Sequence, residues 1–335
     1  HGMRPIVFMK RNVRYLCSAL GLGCCLLAGL SFLPAHAGHD VRDWNGTQLS
    51  RLPSAPAGGE FSFAVLGDSQ SHFSILAHHL AQIRQAGRLD FVVSVGDQVA
   101  PPERAEFETF FRLADDLAER PLLTVRGNHD ASTDYLYEHF AGKPYYSFQY
   151  HDAYFIVLDD GDLTGLGAAQ WRWLEKELRA AKTFRTRLVF MHAPPIDPRD
   201  PRVEVADHGL PEAEGRRIVE LFKRHRVDHV FAGHIHSYYE GDWDGVPYTI
   251  SGGGGARLVG ADPAHAFYHY LRVKVQRDGT VAVAPQRVTL AGLPLGGSLA
   301  AKTWVRFDGL LQMRSHEMGL LLVAALMFGG AWRWR

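Results

Sequence analysis

Cysteine is the first shortage. The 335-residue chain has three, Cys17, Cys24 and Cys25, all before residue 38. From residue 38 onward neither a disulfide nor a thiolate metal site can form, so a metal there must be held by His, Asp, Glu, Asn or Gln. An excess of charge is also missing, with 36 Lys and Arg against 36 Asp and Glu. Residues 1–37 hold four basic residues (Arg4, Lys10, Arg11, Arg14) and no acid, which leaves 32 basic against 36 acidic residues in the body. A mildly acidic body without a basic stripe argues against nucleic acid as a partner. No internal repeat is present. What the chain does have is 46% hydrophobic residues, enough for one large core or two modest ones.

The two ends carry the long apolar stretches. Lys10, Arg11 and Arg14 precede the apolar run Leu16–Leu33, and Ala35-His36-Ala37 has the small-x-small form of a cleavage site. Residues 1–37 therefore read as a secretory signal peptide, with an uncut N-terminal anchor as the alternative. At the other end Met318–Trp332 is apolar and is followed by Arg333-Trp334-Arg335. Fifteen helical residues reach ~22 Å, short of the roughly 30 Å hydrocarbon core. This segment reads as a C-terminal membrane anchor with a basic tail, a removable sorting signal, or a buried terminal helix. The expected division is a signal peptide over 1–37, an exposed lead-in over 38–59, a catalytic domain over 60–290, a linker over 291–317 and an anchor over 318–335. The expected location is periplasmic or extracellular, tethered to the membrane at the C-terminus. Oligomeric state has no sequence signature.

Within the body, apolar strand-like runs alternate with helical spacing. Phe61–Leu66 leads to Gly67-Asp68, Leu89–Val95 to Gly96-Asp97, and Leu122–Val125 to Gly127-Asn128-His129-Asp130. Helical periodicity fills Phe73–Ala86 and Ala105–Arg120 between them. Two strand-helix-strand passages predict a parallel sheet with right-handed crossovers, whose strand ends share one edge. A hairpin is expected at Tyr145–Tyr150 and Ala153–Leu158, and helices at Ala168–Ala181 and Pro211–His225. Strands Arg187–Met191 and Asp228–Ala232 end at His192 and at Gly233-His234-Ile235-His236. Val246–Ile250, Tyr268–Val275 and Thr280–Ala284 are expected to supply a second sheet. The fold class is thus α/β, a two-sheet sandwich with helices on both outer faces.

Five strand ends carry Asp68, Asp97, Asn128 with His129, His192, and His234 with His236. Two carboxylates, one amide oxygen and three imidazoles form a nitrogen and oxygen donor set that suits Fe, Mn or Zn better than Ca or Mg. The set is large enough for two ions if one aspartate bridges them. Such a pair would clamp the attacking and leaving oxygens of a phosphoryl displacement.

This ordered series, Gly-Asp, Gly-Asp, Gly-Asn-His-Asp, His, Gly-His-x-His, resembles that of the calcineurin-like metallophosphoesterases over roughly residues 61–288. Tyr145-Tyr-Ser-Phe148, Gln170-Trp-Arg-Trp-Leu-Glu175 and Gly233-His-Ile-His-Ser-Tyr-Tyr239 before a glycine-rich loop resemble the branch related to purple acid phosphatases. The resemblance implies a four-layer αββα sandwich of two mixed sheets and two divalent or trivalent transition-metal ions. It implies that Asp97 bridges them, that Asp68 and His236 complete the first, and that Asn128, His192 and His234 complete the second. It makes His129 the proton donor to the leaving oxygen, Asp130 the support of His129, and a phosphomonoester or phosphodiester the substrate. The sequence departs from the family at Gln70, where a ligand histidine is usual. A glutamine carbonyl is a weaker donor than imidazole, so a two-ion enzyme, a one-ion enzyme and a non-catalytic scaffold all stay open. No tyrosine follows Asp97 closely, so a purple charge-transfer iron site is not expected. Arg126, Arg199, Arg202, Tyr238 and Arg257 are candidates to meet a substrate.

Overall fold

Period-two alternation on the strands decides the layering. The computed structural model describes residues 41–54, 59–117, 120–199 and 209–289. On β1 (Phe61–Leu66), Phe61, Phe63 and Val65 join one apolar cluster while Ala64 and Leu66 join another. On β5 (Ala153–Val157), Ala153, Phe155 and Val157 join the first of these, and Tyr154 and Ile156 a third. Strands apolar on both faces must be covered on both faces. The chain meets that demand with two sheets packed face to face and helices outside each.

The first sheet has the order β11-β10-β1-β2-β3, with β2 at Phe91–Ser94, β3 at Leu122–Thr124, β10 at His269–Val275 and β11 at Val281–Arg287. Strands β1, β2 and β3 are parallel, with Val65 opposite Val93 and Val93 opposite Leu123. The second sheet has the order β4-β5-β6-β7-β9-β8. Its strands are β4 (Tyr146–Tyr150), β5, β6 (Thr186–Phe190), β7 (His229–Ala232), β8 (Tyr238–Trp243) and β9 (Val246–Ser251). Strands β5, β6, β7 and β9 are parallel, while β4 and β8 run antiparallel at the edges. Helices α1 (Trp44–Ser50), α2 (Phe73–Gln85), α3 (Arg104–Asp115) and α4 (Leu136–Ala141) share a cluster with the outer face of the first sheet. Helices α5 (Ala168–Ala180) and α6 (Glu212–His225) do the same for the second. The result is the four-layer sandwich of two mixed sheets.

Between the sheets the core is aromatic. Phe63, fully buried, stacks on Phe91 at 4.9 Å and presents tilted or edge contacts to Phe155, Phe190 and Phe231 at 5.9–6.0 Å. One ring thus ties two strands of the first sheet to three of the second.

Three expectations are corrected. Part of the expected lead-in forms α1, whose Trp44, Asn45 and Gln48 are buried. The Trp44 Nε1–H donates to Leu122 O at 2.7 Å, and the Asn45 amide meets the backbone of Thr124 with Oδ1 accepting N–H at 2.8 Å. Side chains of a helix thereby satisfy the open edge of β3, which would otherwise offer unpaired backbone groups. Strands β10 and β11 belong to the first sheet, because β10 pairs antiparallel with β1 rather than with β9. Strand β8 and the six-residue helix α4 were not foreseen. The expected signal peptide and C-terminal anchor lie outside the described residues. Among the described residues no helix is long and apolar enough to cross a membrane.

Phe63→Ala should destabilise the domain by about 3–5 kcal/mol, read by denaturant unfolding, because the aromatic cluster cannot close over the cavity. His229, at the start of β7 and far along the strand from Gly233, has its pKa pushed down to about 4 by burial. Its unfolded value lies near ~6.5, so between these values the unfolded chain binds the extra proton and stability falls as pH drops. The loss reaches about 3 kcal/mol below pH 4. His229→Gln should remove that share of the fall from pH 6.5 to 4, and an unchanged slope would show that His229 is not the titrating group.

Candidate metal centre

Parallel strands of both sheets deliver their carboxyl ends to one edge. There β1 hands over to Asp68, β2 to Asp97, β3 to Asn128 and His129, β6 to His192, and β7 to His234 and His236. The turns are tight. A Cβ on Gly96 would lie 2.2 Å from His192 Nδ1, and one on Gly127 would lie 2.3 Å from the amide and carboxylate of Asp97. Only glycine lets these loops approach so closely. Asp68, Asp97 and His234 adopt positive φ of 63°, 53° and 68°. Side chains with a Cβ rarely do so, and the cost of roughly 1–2 kcal/mol each marks a site whose geometry the surroundings enforce.

Two sets of donors share one carboxylate. Asp97, His192 and His234 bring ligand atoms within 4.8 Å of one another, and so do Asp68, Asp97 and His236. Asn128 completes the first set, its Oδ1 standing 3.0 Å from His192 Nε2 and 2.9 Å from His234 Nδ1. His192 Nε2 also lies 3.2 Å from His234 Nδ1 and 3.3 Å from Asp97 Oδ1. On the other side His236 Nε2 lies 3.6 Å from Asp68 Oδ1. Gln70, whose Nε2 is 3.0 Å from Asp97 Oδ2 and 3.2 Å from His236 Nε2, sits in the second set.

The histidine tautomers fit cation binding. His192 Nδ1–H donates to Val95 O at 2.9 Å and His236 Nδ1–H donates to Arg257 O at 3.0 Å. Each backbone carbonyl fixes the proton on Nδ1 and leaves the Nε2 lone pair facing the carboxylates, the arrangement a ligating histidine needs. At His192, then, lone pairs of two imidazoles, an amide oxygen and a carboxylate converge, which is unfavourable unless a positive charge stands among them.

The electrostatics state the same demand. Burial opposes a charge on His192, yet Asp97, Asp68 and Asp160 together push its pKa up to about 10. Burial also raises Asp97, but the attraction of His192 and His129 prevails and holds it well below the usual carboxylate range. For Asp68 burial wins and the pKa rises well above the ordinary value. A pocket of buried acids is short of cations, and metal ions would supply them.

His129 and Asp130 separate. The His129 N–H donates to Asp97 Oδ1 at 2.9 Å, while its exposed imidazole has no hydrogen-bond partner among the described residues. Asp130 does not hold it, contrary to expectation. The Asp130 carboxylate accepts the N–H groups of Gly127 at 2.8 Å and Val99 at 3.1 Å, fully buried, and burial beside Asp97 pushes its pKa up to about 8. It is a clamp joining the β2 and β3 loops. Asp160 does the same for His192, accepting the N–H of His192 at 2.9 Å and of Ala193 at 2.8 Å. The sequence reading missed Asp160, although Leu158-Asp159-Asp160-Gly161 at the end of β5 repeats the pattern of a strand followed by Asp near Gly.

Of the candidates to meet a substrate, Arg126 is neutralised by Asp159 and Asp162, Arg199 is buried against Asp197, and Tyr238 is buried with its hydroxyl on Glu240. Arg202 lies outside the described residues. Arg257 is exposed. The run Gly252–Gly255 brings two backbones together behind Asp68, with Gly254 N–H donating to Gly67 O at 2.8 Å.

Comparison with known proteins places this geometry. Residues 61–238 match the family model of the calcineurin-like phosphoesterases. A purple acid phosphatase of Arabidopsis thaliana is 27% identical over 244 residues, covering 64% of this chain and 54% of the relative. A serine/threonine-protein phosphatase of Danio rerio is 33% identical over 152 residues, covering 41% of this chain and 49% of the relative. The chain thus spans about half the length of these curated relatives. The structure of a purple acid phosphatase from yellow lupin seeds superposes with a TM-score of 0.54 at 17% identity, covering 70% of this chain and 53% of that one, and shares the fold. With a matched segment that carries Asp68, Asp97, Asn128, His129, His192, His234 and His236, the chain belongs to the calcineurin-like phosphoesterase family.

Proposed function

We propose that the protein hydrolyses phosphate esters, monoesters or diesters, with two transition-metal ions of the Fe, Mn or Zn type held at the shared strand edge. The observation that carries this reading is Asp97, one carboxylate common to two convergent donor sets. Asp97, Asn128, His192 and His234 would hold one ion, and Asp68, Asp97, His236 and Gln70 the other. Ions bound there would supply Lewis acidity toward a phosphoryl oxygen and bring the pKa of water toward neutrality. The protein's part is positioning. Backbone carbonyls of Val95 and Arg257 aim the imidazoles, and the carboxylates of Asp130 and Asp160 fix the loops that carry Asn128 and His192. His129, exposed and anchored by its N–H on Asp97, stands where it can give a proton to the leaving oxygen. The relatives named as phosphatases support the same chemistry. Export and membrane tethering rest on residues 1–37 and 318–335 and remain part of this proposal.

Gln70 favours a second reading, a one-ion enzyme or a non-catalytic scaffold. Its amide nitrogen bridges Asp97 Oδ2 and His236 Nε2, and an amide nitrogen does not ligate. Half a turn of the amide would present Oε1 instead.

Chelator-treated protein should fail to hydrolyse an aryl phosphate and regain turnover with Mn, Fe or Zn; turnover that ignores chelation, or is absent with every metal, would contradict the proposal. His129→Ala should lower kcat by about 10²–10⁴-fold while metal content stays unchanged. Full activity in that variant would remove His129 from the chemistry. In a metal titration wild type should take up two equivalents, the second more weakly. Gln70→His should tighten that second step by about tenfold or more, the scale on which single partners of a metal site act. A wild-type stoichiometry of one would decide for the second reading.

A further inference from the structure

We propose that Arg257 forms an anion subsite next to the ligands Asp68 and His236, one that takes a second anionic group, carboxylate or phosphate, on the substrate. The inference deepens the phosphoester-hydrolase reading and rests on it for the substrate's first group.

The backbone around Arg257 is pinned to both ligands. Ala256 N–H donates to Asp68 O at 2.8 Å, and Arg257 O accepts the Nδ1–H of His236 at 3.0 Å. Val259 N–H donates to His236 O at 3.0 Å, and the Ser237 hydroxyl to Val259 O at 2.6 Å. The Arg257 backbone is therefore held one imidazole away from the ligand atom His236 Nε2. Its side chain is exposed and makes no ion pair or hydrogen bond among the described residues. Arg126 and Arg199, by contrast, are neutralised by aspartates.

His72 lies on the neighbouring segment, its Nδ1–H shared between Gln70 O at 3.0 Å and Ser69 O at 3.2 Å. Gly255 brings the two segments together, since a Cβ there would stand 3.3 Å from His72 Cβ and 2.9 Å from Ser69 O. A second negative group on a substrate whose phosphate is held at the ligands would extend past them, and Arg257 is an exposed cation whose backbone is fixed beside His236. A guanidinium is permanently charged and its planar fork matches carboxylate and phosphate oxygens.

The test measures binding to metal-loaded protein by calorimetry, using three non-hydrolysable probes: phenylphosphonate, 3-carboxyphenylphosphonate and 1,3-phenylenediphosphonate. Wild type should bind at least one of the two doubly anionic probes about tenfold more tightly than phenylphosphonate, the scale of one charge-assisted hydrogen bond. The preferred probe tells carboxylate from phosphate. Arg257→Gln should abolish that preference while changing phenylphosphonate affinity less than about twofold. Arg257→Lys should restore part of it. Equal weakening of all three probes in Arg257→Gln, or no change in any, would overturn the proposal. Because no turnover is needed, failure of the hydrolase reading would show separately, as absence of phenyl phosphate hydrolysis by the same wild-type preparation.

Discussion

The rest of the structure depends on one buried carboxylate, that of Asp97. It is 1% exposed and meets the N–H of His129, the amide of Gln70 and the imidazole of His192. A carboxylate taken out of water costs several kcal/mol even after relaxation, on the order of the whole stability margin of a domain. It persists because the surroundings answer it with donors and with a cation-seeking pair of histidine sets. Three further acids, Asp68, Asp130 and Asp160, lie buried at the same edge. Two of these, Asp130 and Asp160, are spent on backbone N–H groups, so their work is to hold loops in place. The remaining pair of carboxylates faces the imidazoles, and that imbalance is what defines the centre chemically.

Such a concentration of charge needs a rigid frame. The aromatic layer around Phe63 fixes the spacing of the two sheets, and the parallel strands of each place their carboxyl ends on a common edge. The left-handed backbone at Asp68, Asp97 and His234 would relax in a softer fold. Here the short ladders leave it no room, and glycine at 96 and 127 lets neighbouring loops close to contact distance. Stability made in the core thus holds strain at the site, a division common where binding residues sit on loops of a stiff scaffold.

Much of this was legible in the sequence because it is local. A strand that ends in Gly-Asp or Gly-Asn-His-Asp announces both the element and its donor within a few residues, and Asp68, Asp97, Asn128, His192, His234 and His236 do converge. What escaped is non-local. Asp160 binds the backbone of His192, 32 residues on, and no short pattern names that partner. Asp130 follows His129 in sequence yet turns to Gly127 and Val99, because two buried N–H groups outcompete an exposed imidazole. Strand β10 shows the same limit, since alternation identifies a strand but not the sheet that accepts it. Helix α1 was hidden in a Pro- and Gly-rich stretch, its evidence confined to Trp44, Asn45 and Gln48.

The central claim is that Asp97 is shared by two cation sites. Anomalous scattering from crystals grown with manganese tests it most directly. The account predicts two peaks roughly 3.5–4 Å apart. One should be enclosed by Asp97, Asn128, His192 and His234, and the other by Asp68, Gln70, Asp97 and His236. A crystal at saturating manganese with no peak beside Asp97, or with its ions held by other residues, would contradict it.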